Sequence, residues 1–259
     1  MCATCGCSDD AGIRVIDPSS PGHGHGHEHG HGHGHPEPGP DRTVLLEQDI
    51  LAANDRLAAD NRSWLASRGI HAVNVMSSPG SGKTTLLART IVDRGGELPM
   101  SVIEGDQETV FDAERIKATG CRVIQVNTGA GCHLDAGMLA KALHTLAPPG
   151  RSTVFVENVG NLVCPALFDL GEADRVVVMS VTEGADKPLK YPHMFRTADV
   201  VLLNKIDLLP YVDFDVDVFT EDLLRVNPRT GVLHLSATTG AGLDAWYAWL
   251  ADRVGTREI

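Results

Sequence analysis

From residue 72 onward the chain changes hydrophobic period again and again. Apolar runs of strand length recur as "AVNVMS" (72–77), "MSVIE" (100–104), "RVIQV" (122–126), "TVFVE" (153–157), "RVVVMSV" (175–181), "VVLLN" (200–204) and "GVLHLS" (231–236), and segments of helix length lie between most of them. Strands alternating with helices predict βαβ units around a mostly parallel sheet. Runs this apolar predict strands covered on both faces. Ahead of the first strand, Leu46, Ile50, Leu57 and Trp64 recur at near-helical spacing with charges between them. They predict an amphipathic helix whose stop is Gly69. Before Thr43 the pattern vanishes. Residues 1–41 contain three cysteines, seven histidines, many glycines and "PEPGPD". Nothing there can form a packed core, so the segment reads as a disordered arm ahead of a globular domain spanning 42–259.

Directly after the first strand stands "SSPGSGKTT", Ser77 to Thr85. It fits the phosphate-loop pattern at Gly82, Lys83 and Thr84, with Ser77 in place of the first glycine. Gly80 and Gly82 let the backbone curl so that its N–H groups face phosphates. Lys83 reaches the β- and γ-phosphates, the Thr84 hydroxyl can ligate Mg²⁺, and the next helix offers its positive end. Gly80, Ser81, Gly82, Lys83, Thr84 and Thr85 are therefore expected to hold the phosphates.

The strand "VVLLN" runs into "NKID", Asn204 to Asp207. A carboxylate at Asp207 accepts two hydrogen bonds from guanine, and adenine has no matching donor pair. The Lys205 stem can lie over the base, and Asn204 can brace the loop. "LSAT" follows the last strand, and there Ser236 and Ala237 are expected to complete the base pocket, Ala237 by offering its N–H to the guanine carbonyl. The expected nucleotide pair is GTP and GDP.

"EGDQ" (104–107) and "ENVGN" (157–161) end two further strands. Strand C-termini face the ligand in such sheets, so Asp106 and Glu157 join Thr84 as candidate Mg²⁺ partners. "FDAER" supplies Asp112 and Arg115; Asp112 is either the group that orients the attacking water or a solvated helix charge. Lys83, Asp106 and Asp112 are the candidate catalytic residues.

Charge and cysteine usage change the picture next. Lys and Arg number 22 against 34 Asp and Glu, a formal charge of −12. That argues against a nucleic-acid binder, whose affinity needs a basic surface, and suits a protein that attracts cations. No apolar run approaches the roughly 20 residues of a membrane helix, and the first residues lack the layout of a signal peptide. The expected location is the cytoplasm, where six cysteines point to metal or redox chemistry.

Three groups of ligands emerge. "CATCGC" supplies Cys2, Cys5 and Cys7, enough thiolates to surround one soft or borderline cation without a fold to support them. "HGHGHEHGHGHGH" supplies His23, His25, His27, His29, His31, His33 and His35. Alternating glycine makes a defined geometry costly to order, so this tract reads as a loose, low-specificity reservoir. "GAGCHLDAG" and "ENVGNLVCP" place Cys132, His133 and Cys164 just past strand ends on the nucleotide side, where two thiolates and an imidazole can meet, either within one chain or across a dimer interface. Cys ligands and imidazole accept Ni²⁺ and Zn²⁺ alike. Taken singly, each of these cysteines can equally be an inert buried thiol, the class to which Cys121 is assigned.

Together "CATCGC", the histidine arm, "SSPGSGKTT", "EGDQ", "GAGCHLDA", "ENVGNLVCP", "TEGADKPLKYP" and "NKIDLLPY" resemble the hydrogenase nickel-incorporation GTPases, the HypB family. The resemblance covers residues 42–250, and the arm also fits. It implies a three-layer P-loop NTPase fold of the signal-recognition/MinD class, slow GTP hydrolysis and a GTP-dependent homodimer. It also implies delivery of Ni²⁺ to the hydrogenase large subunit precursor, with the zinc-bearing nickel chaperone HypA as partner. The alternatives are a urease-type or other metallocentre accessory GTPase and a nickel-storage protein.

Overall fold

The computed structural model describes residues 42–106, 111–129 and 131–255. It separates into a unit ending at Ile50 and a compact unit, Leu51–Ile259. Cys2, Cys5, Cys7 and the seven histidines of the tract lie outside the described residues.

Seven strands form one sheet: β1 (His71–Ser77), β2 (Met100–Asp106), β3 (Arg122–Asn127), β4 (Thr153–Glu157), β5 (Asp174–Ser180), β6 (Val200–Asn204) and β7 (Gly231–His234). Their order is β3-β2-β4-β1-β5-β6-β7. Every pairing is parallel, so the sheet is wholly rather than mostly parallel. The helices are α1 (Arg42–Ser67), α2 (Lys83–Arg94), α3 (Phe111–Lys117), α4 (Ala136–Leu146), α5 (Cys164–Leu167), α6 (Lys187–Lys190), α7 (Pro192–Arg196), α8 (Val216–Val226) and α9 (Leu243–Gly255).

Successive strand residues point to opposite faces, and here both faces are covered. Val73 and Val75 of β1 and Val176 and Val178 of β5 pack with Leu86 and Leu87 of α2 and Trp246 of α9. The alternate residues Met76, Val177 and Met179 pack with Phe195 of α7 and Phe219 of α8, while Ala72, Val154 and Val156 meet Leu139 and Leu143 of α4. This two-sided burial is why the central strands read as unbroken apolar runs.

The face of α1 differs from the one its apolar spacing predicts. Ile50 and Leu57 are 49% and 44% exposed, whereas Asn54, Ala58, Asn61 and Leu65 are buried. Two asparagines on the buried face are satisfied by specific backbone partners. Asn54 Nδ2 donates to the Asp169 carbonyl at 2.7 Å, and its Oδ1 accepts the Ala136 N–H at 2.9 Å. Asn61 Nδ2 donates to the carbonyls of Ala136 and Leu170 at 2.9 and 3.0 Å. Polar positions thus form the contact stripe because the surfaces they meet expose helix-end and loop backbone, which must be hydrogen-bonded when buried. α1 stops as expected at Gly69, which adopts φ +63° while the Ile70 N–H returns to the Leu65 carbonyl at 3.0 Å.

Candidate nucleotide and metal sites

The C-terminal ends of β1, β2, β4 and β6 converge on one edge of the sheet, and the loop after β1 occupies its middle. Gly80 and Gly82 adopt φ +74° and +98°, a left-handed conformation that costs glycine little. At Gly82 space is also limiting, because a Cβ there would lie 2.6 Å from Asn204 Nδ2. Gly80, Gly82, Lys83, Thr84, Thr85, Asp112, Arg115, Glu157 and Lys205 line an open polar cleft of about 330 Å³ at the start of α2.

Lys83 Nζ donates to Ser77 Oγ at 2.7 Å, and that hydroxyl donates onward to the Ser78 carbonyl at 2.6 Å. Burial pulls the Lys83 ammonium below its ordinary pKa, against the opposing pull of Glu157, Asp112, Glu183 and Asp106. Thr84 Oγ1 donates to Glu157 Oε1 at 2.7 Å, and burial raises the Glu157 pKa. Its other oxygen, Oε2, is buried without a hydrogen-bond partner among the described residues. Asp106 ends β2, and its charge acts on both Lys83 and Glu104. Asp112 stands in the first turn of α3, 3.8 Å from Arg115, whose Nη2 donates to Thr85 Oγ1 at 3.0 Å.

Asn204 joins the phosphate loop to the base loop. Its Nδ2 donates to the Ser81 carbonyl at 2.9 Å, and its Oδ1 accepts the N–H groups of Lys205 and Ala237 at 2.8 and 3.0 Å. The amide of Ala237 is therefore engaged in bracing the loop as this structure stands. Ser236 Oγ accepts the Thr239 N–H at 3.1 Å. Lys205, at φ +62°, spans back to the Gly80 carbonyl with Nζ at 2.7 Å. Asp207 is exposed in the 3-10 turn Ile206–Tyr211.

Cys132, His133 and Cys164 come together as the sequence predicts, their ligand atoms all within 4.8 Å of one another. The two Sγ atoms are 2.9 Å apart, and Cys132 Sγ is 3.7 Å from His133 Nδ1. The imidazole stacks on Phe168 at 3.9 Å between ring centroids, and burial lowers its pKa. A lowered pKa keeps the ring neutral and able to ligate near neutral pH. Cys121 is placed apart from this group; burial pushes its thiol up to about 11, which fits the inert class.

Several site residues escape the sequence patterns. Glu104 pairs in register with Glu157 across β2 and β4. It is only 2% exposed, and burial, reinforced by Glu157, Asp112 and Asp106, pushes its carboxyl up to about 8. Glu183 accepts a short hydrogen bond from Ser78 Oγ. Asn158 Oδ1 accepts the Leu134 N–H at 3.2 Å while its Nδ2 donates to Asn74 at 3.2 Å. Asn161 contacts the backbone of both cysteines, donating to the Cys132 carbonyl and accepting from the Cys164 N–H, each at 3.4 Å. Glu104 sits inside "EGDQ" and Asn158 and Asn161 inside "ENVGN", but the patterns mark only their neighbours Asp106 and Glu157.

A glycine-rich strand-to-helix loop, a guanine-type N-K-x-D turn and a wholly parallel sheet define a P-loop nucleotide-binding protein. Residues 71–234 match the family described as CobW/HypB/UreG, nucleotide-binding domain. The chain is 57% identical over 219 residues to hydrogenase maturation factor HypB of Rhizobium leguminosarum bv. viciae, covering 85% of this chain and 73% of that one. It is 55% identical over 209 residues to HypB of Escherichia coli K12, covering 81% and 72%. Among solved structures, HypB of Helicobacter pylori in complex with nickel aligns with TM-score 0.74 and 36% identity, over 79% of this chain and 96% of that one. HypB of Archaeoglobus fulgidus aligns with the same score and 41% identity, over 79% and 100%. The chain belongs to the hydrogenase maturation factor HypB family.

Proposed function

We propose that the chain is a GTP-hydrolysing metallochaperone that binds Ni²⁺ and delivers it during [NiFe]-hydrogenase assembly. Membership of the HypB family supports a role in hydrogenase maturation, and the H. pylori relative was solved with nickel. One observation carries the finer reading. The segment 157–164 begins at the carboxylate that holds Thr84 of the phosphate loop and ends at the thiol of Cys164. A nucleotide site and a metal site are thereby parts of one short stretch of backbone, which gives GTP a physical route to metal affinity.

In this reading Gly80, Ser81, Gly82, Lys83, Thr84 and Thr85 hold the phosphates, and Asp207 selects guanine with Asn204, Lys205, Ser236 and Ala237 supporting the loop. Lys83 leaves Ser77 and pairs with the terminal phosphates. Asp112, on the rim of the same cleft, orients water. The Thr84 hydroxyl and the orphaned Oε2 of buried Glu157 make an oxygen pair suited to Mg²⁺, with Asp106 at the next strand end. When bound, Mg²⁺ would neutralise phosphate charge. Cys132, His133 and Cys164 hold the cargo, for which Zn²⁺ competes. Cys2, Cys5 and Cys7 capture metal, and the histidine tract stores it. The chain acts in the cytoplasm as a GTP-dependent dimer, receives nickel from HypA and passes it to the hydrogenase large subunit precursor. Among the described residues no helix is long and apolar enough to cross a membrane.

The test is complementation of a hydrogenase-producing strain that lacks this chain, grown with limiting nickel. Wild type should restore hydrogenase activity. Lys83→Ala should fail through lost nucleotide binding. Cys132→Ala/Cys164→Ala should fail while its purified form still hydrolyses GTP. Full maturation by the double cysteine variant would refute the delivery role of the internal site.

A further inference from the structure

We propose that Asn161 is the positioning residue through which nucleotide state reaches the metal site. The proposal rests on the nucleotide-switched metal binding described above and names the side chain that transmits it.

Two asparagines tie the Cys132–His133 loop to the segment leaving β4, and they differ in anchorage. Asn158 belongs to the rigid sheet. Its N–H donates to the Val75 carbonyl at 3.0 Å, its side chain donates to Asn74, and it is 1% exposed. It clamps the Leu134 N–H from a position fixed by β1. Asn161 lies beyond Gly160, and among the described residues its side chain bonds to loop and helix-start backbone rather than to the sheet. Its Oδ1 accepts the Val163 N–H at 2.7 Å and the Cys164 N–H at 3.4 Å, while Nδ2 donates to the Cys132 carbonyl at 3.4 Å. One side chain therefore sets the spacing between the backbones that carry both thiols.

Gly160 supplies the input. A Cβ there would fall 3.0 Å from Pro79 Cα and 3.1 Å from Pro79 N, so the backbone at 160 lies directly against the phosphate loop. A shift of Pro79 when phosphates fill the loop must be accommodated at Gly160, and the next residue is Asn161. Metal–ligand distances fall within about 0.2 Å of their preferred values, so a displacement of the Cys132 backbone relative to Cys164 alters the geometry in which the two thiols meet a metal.

The experiment measures Ni²⁺ affinity of the full-length chain with GDP and with a non-hydrolysable GTP analogue, for wild type, Asn161→Ala and Asn161→Asp. Wild type should show a ratio between the two states of at least about fivefold, the lower end of ordinary coupling. Both variants should bring that ratio to near one while retaining GTP turnover. Asn161→Asp keeps the acceptor for the Val163 and Cys164 amides, removes the donor to Cys132 and adds a negative charge, so its readout is the ratio between the two nucleotide states and not the absolute affinity. Circular dichroism of the metal-free variants checks folding. A wild-type ratio kept in both variants overturns the proposal. So does weaker binding by the same factor in both nucleotide states, because that is the signature of a prop rather than a transmitter. A ratio of one in wild type removes the underlying switching, and this proposal with it.

Discussion

Asn204→Ala should damage the protein far more than Asp207→Ala, although both residues belong to the same N-K-x-D turn. Asn204 is 1% exposed and makes three hydrogen bonds between 2.8 and 3.0 Å, to the Ser81 carbonyl and to the N–H groups of Lys205 and Ala237. Truncation leaves these partners without their acceptor or donor. A buried group left unsatisfied costs about 1–3 kcal/mol, and partial relaxation of the loops toward water reduces the sum, so we expect about 2–4 kcal/mol. The same change frees the phosphate loop from the base loop, so nucleotide affinity should drop by at least about tenfold, equivalent to 1.4 kcal/mol. Asp207 is exposed in its turn. Its truncation should alter stability by less than about 0.5 kcal/mol yet abolish the preference for guanine over adenine nucleotides. The assay is urea unfolding without nucleotide, because bound ligand would mask the difference, paired with displacement of a fluorescent GDP. If Asn204→Ala unfolds within about 0.5 kcal/mol of wild type and binds GDP as tightly, the bracing role is wrong.

Asn61→Ala should cost about 2 kcal/mol in urea unfolding, since it removes two donors from buried carbonyls; a change within error would mean that α1 docks by other contacts. Gly82→Ala should lose nucleotide binding, because the added Cβ meets Asn204 at φ +98°, and calorimetric titration with GDP reads this directly. The metal-free, nucleotide-free protein should become less stable as pH rises between about 4.5 and 8. Glu104 stays protonated in the fold up to about 8 but ionises near 4.5 when unfolded, so over that window the folded state binds more protons. Glu104→Gln should flatten this dependence in denaturation midpoints across pH, and an unchanged slope would exclude Glu104 as its source.

Much of the fold is legible in the strands. Each predicted run matches an observed strand to within one or two residues; the central strands, buried on both faces, carry an unbroken apolar signal, and the half-buried edge strands β3 and β7 a weaker one. β7 is the shortest in the structure and ends at His234, two residues before the apolar run does. The phosphate loop, the N-K-x-D turn and the Cys–His–Cys group are legible because their chemistry demands particular residue types at fixed spacing. What is not legible is the polar framework. Of the apolar stripe predicted on α1, Trp64 packs against the core, whereas Ile50 and Leu57 face solvent; Asn54 and Asn61 sit on the buried face. Their partners are backbone groups more than 70 positions away in sequence, and no local pattern encodes such a meeting. Glu104 is equally silent, since its pairing with Glu157 depends on the register of β2 against β4.

The central claim is that the occupant of the phosphate loop changes the affinity of the Cys132–His133–Cys164 site. The most direct measurement is the Ni²⁺ dissociation constant of the wild-type protein saturated with GDP and with a non-hydrolysable GTP analogue, followed by thiolate-to-metal charge-transfer absorption. The two constants should differ by at least about fivefold, and Cys164→Ala should remove the signal in both states. Equal constants, with the absorption band still dependent on Cys132 and Cys164, would contradict the account.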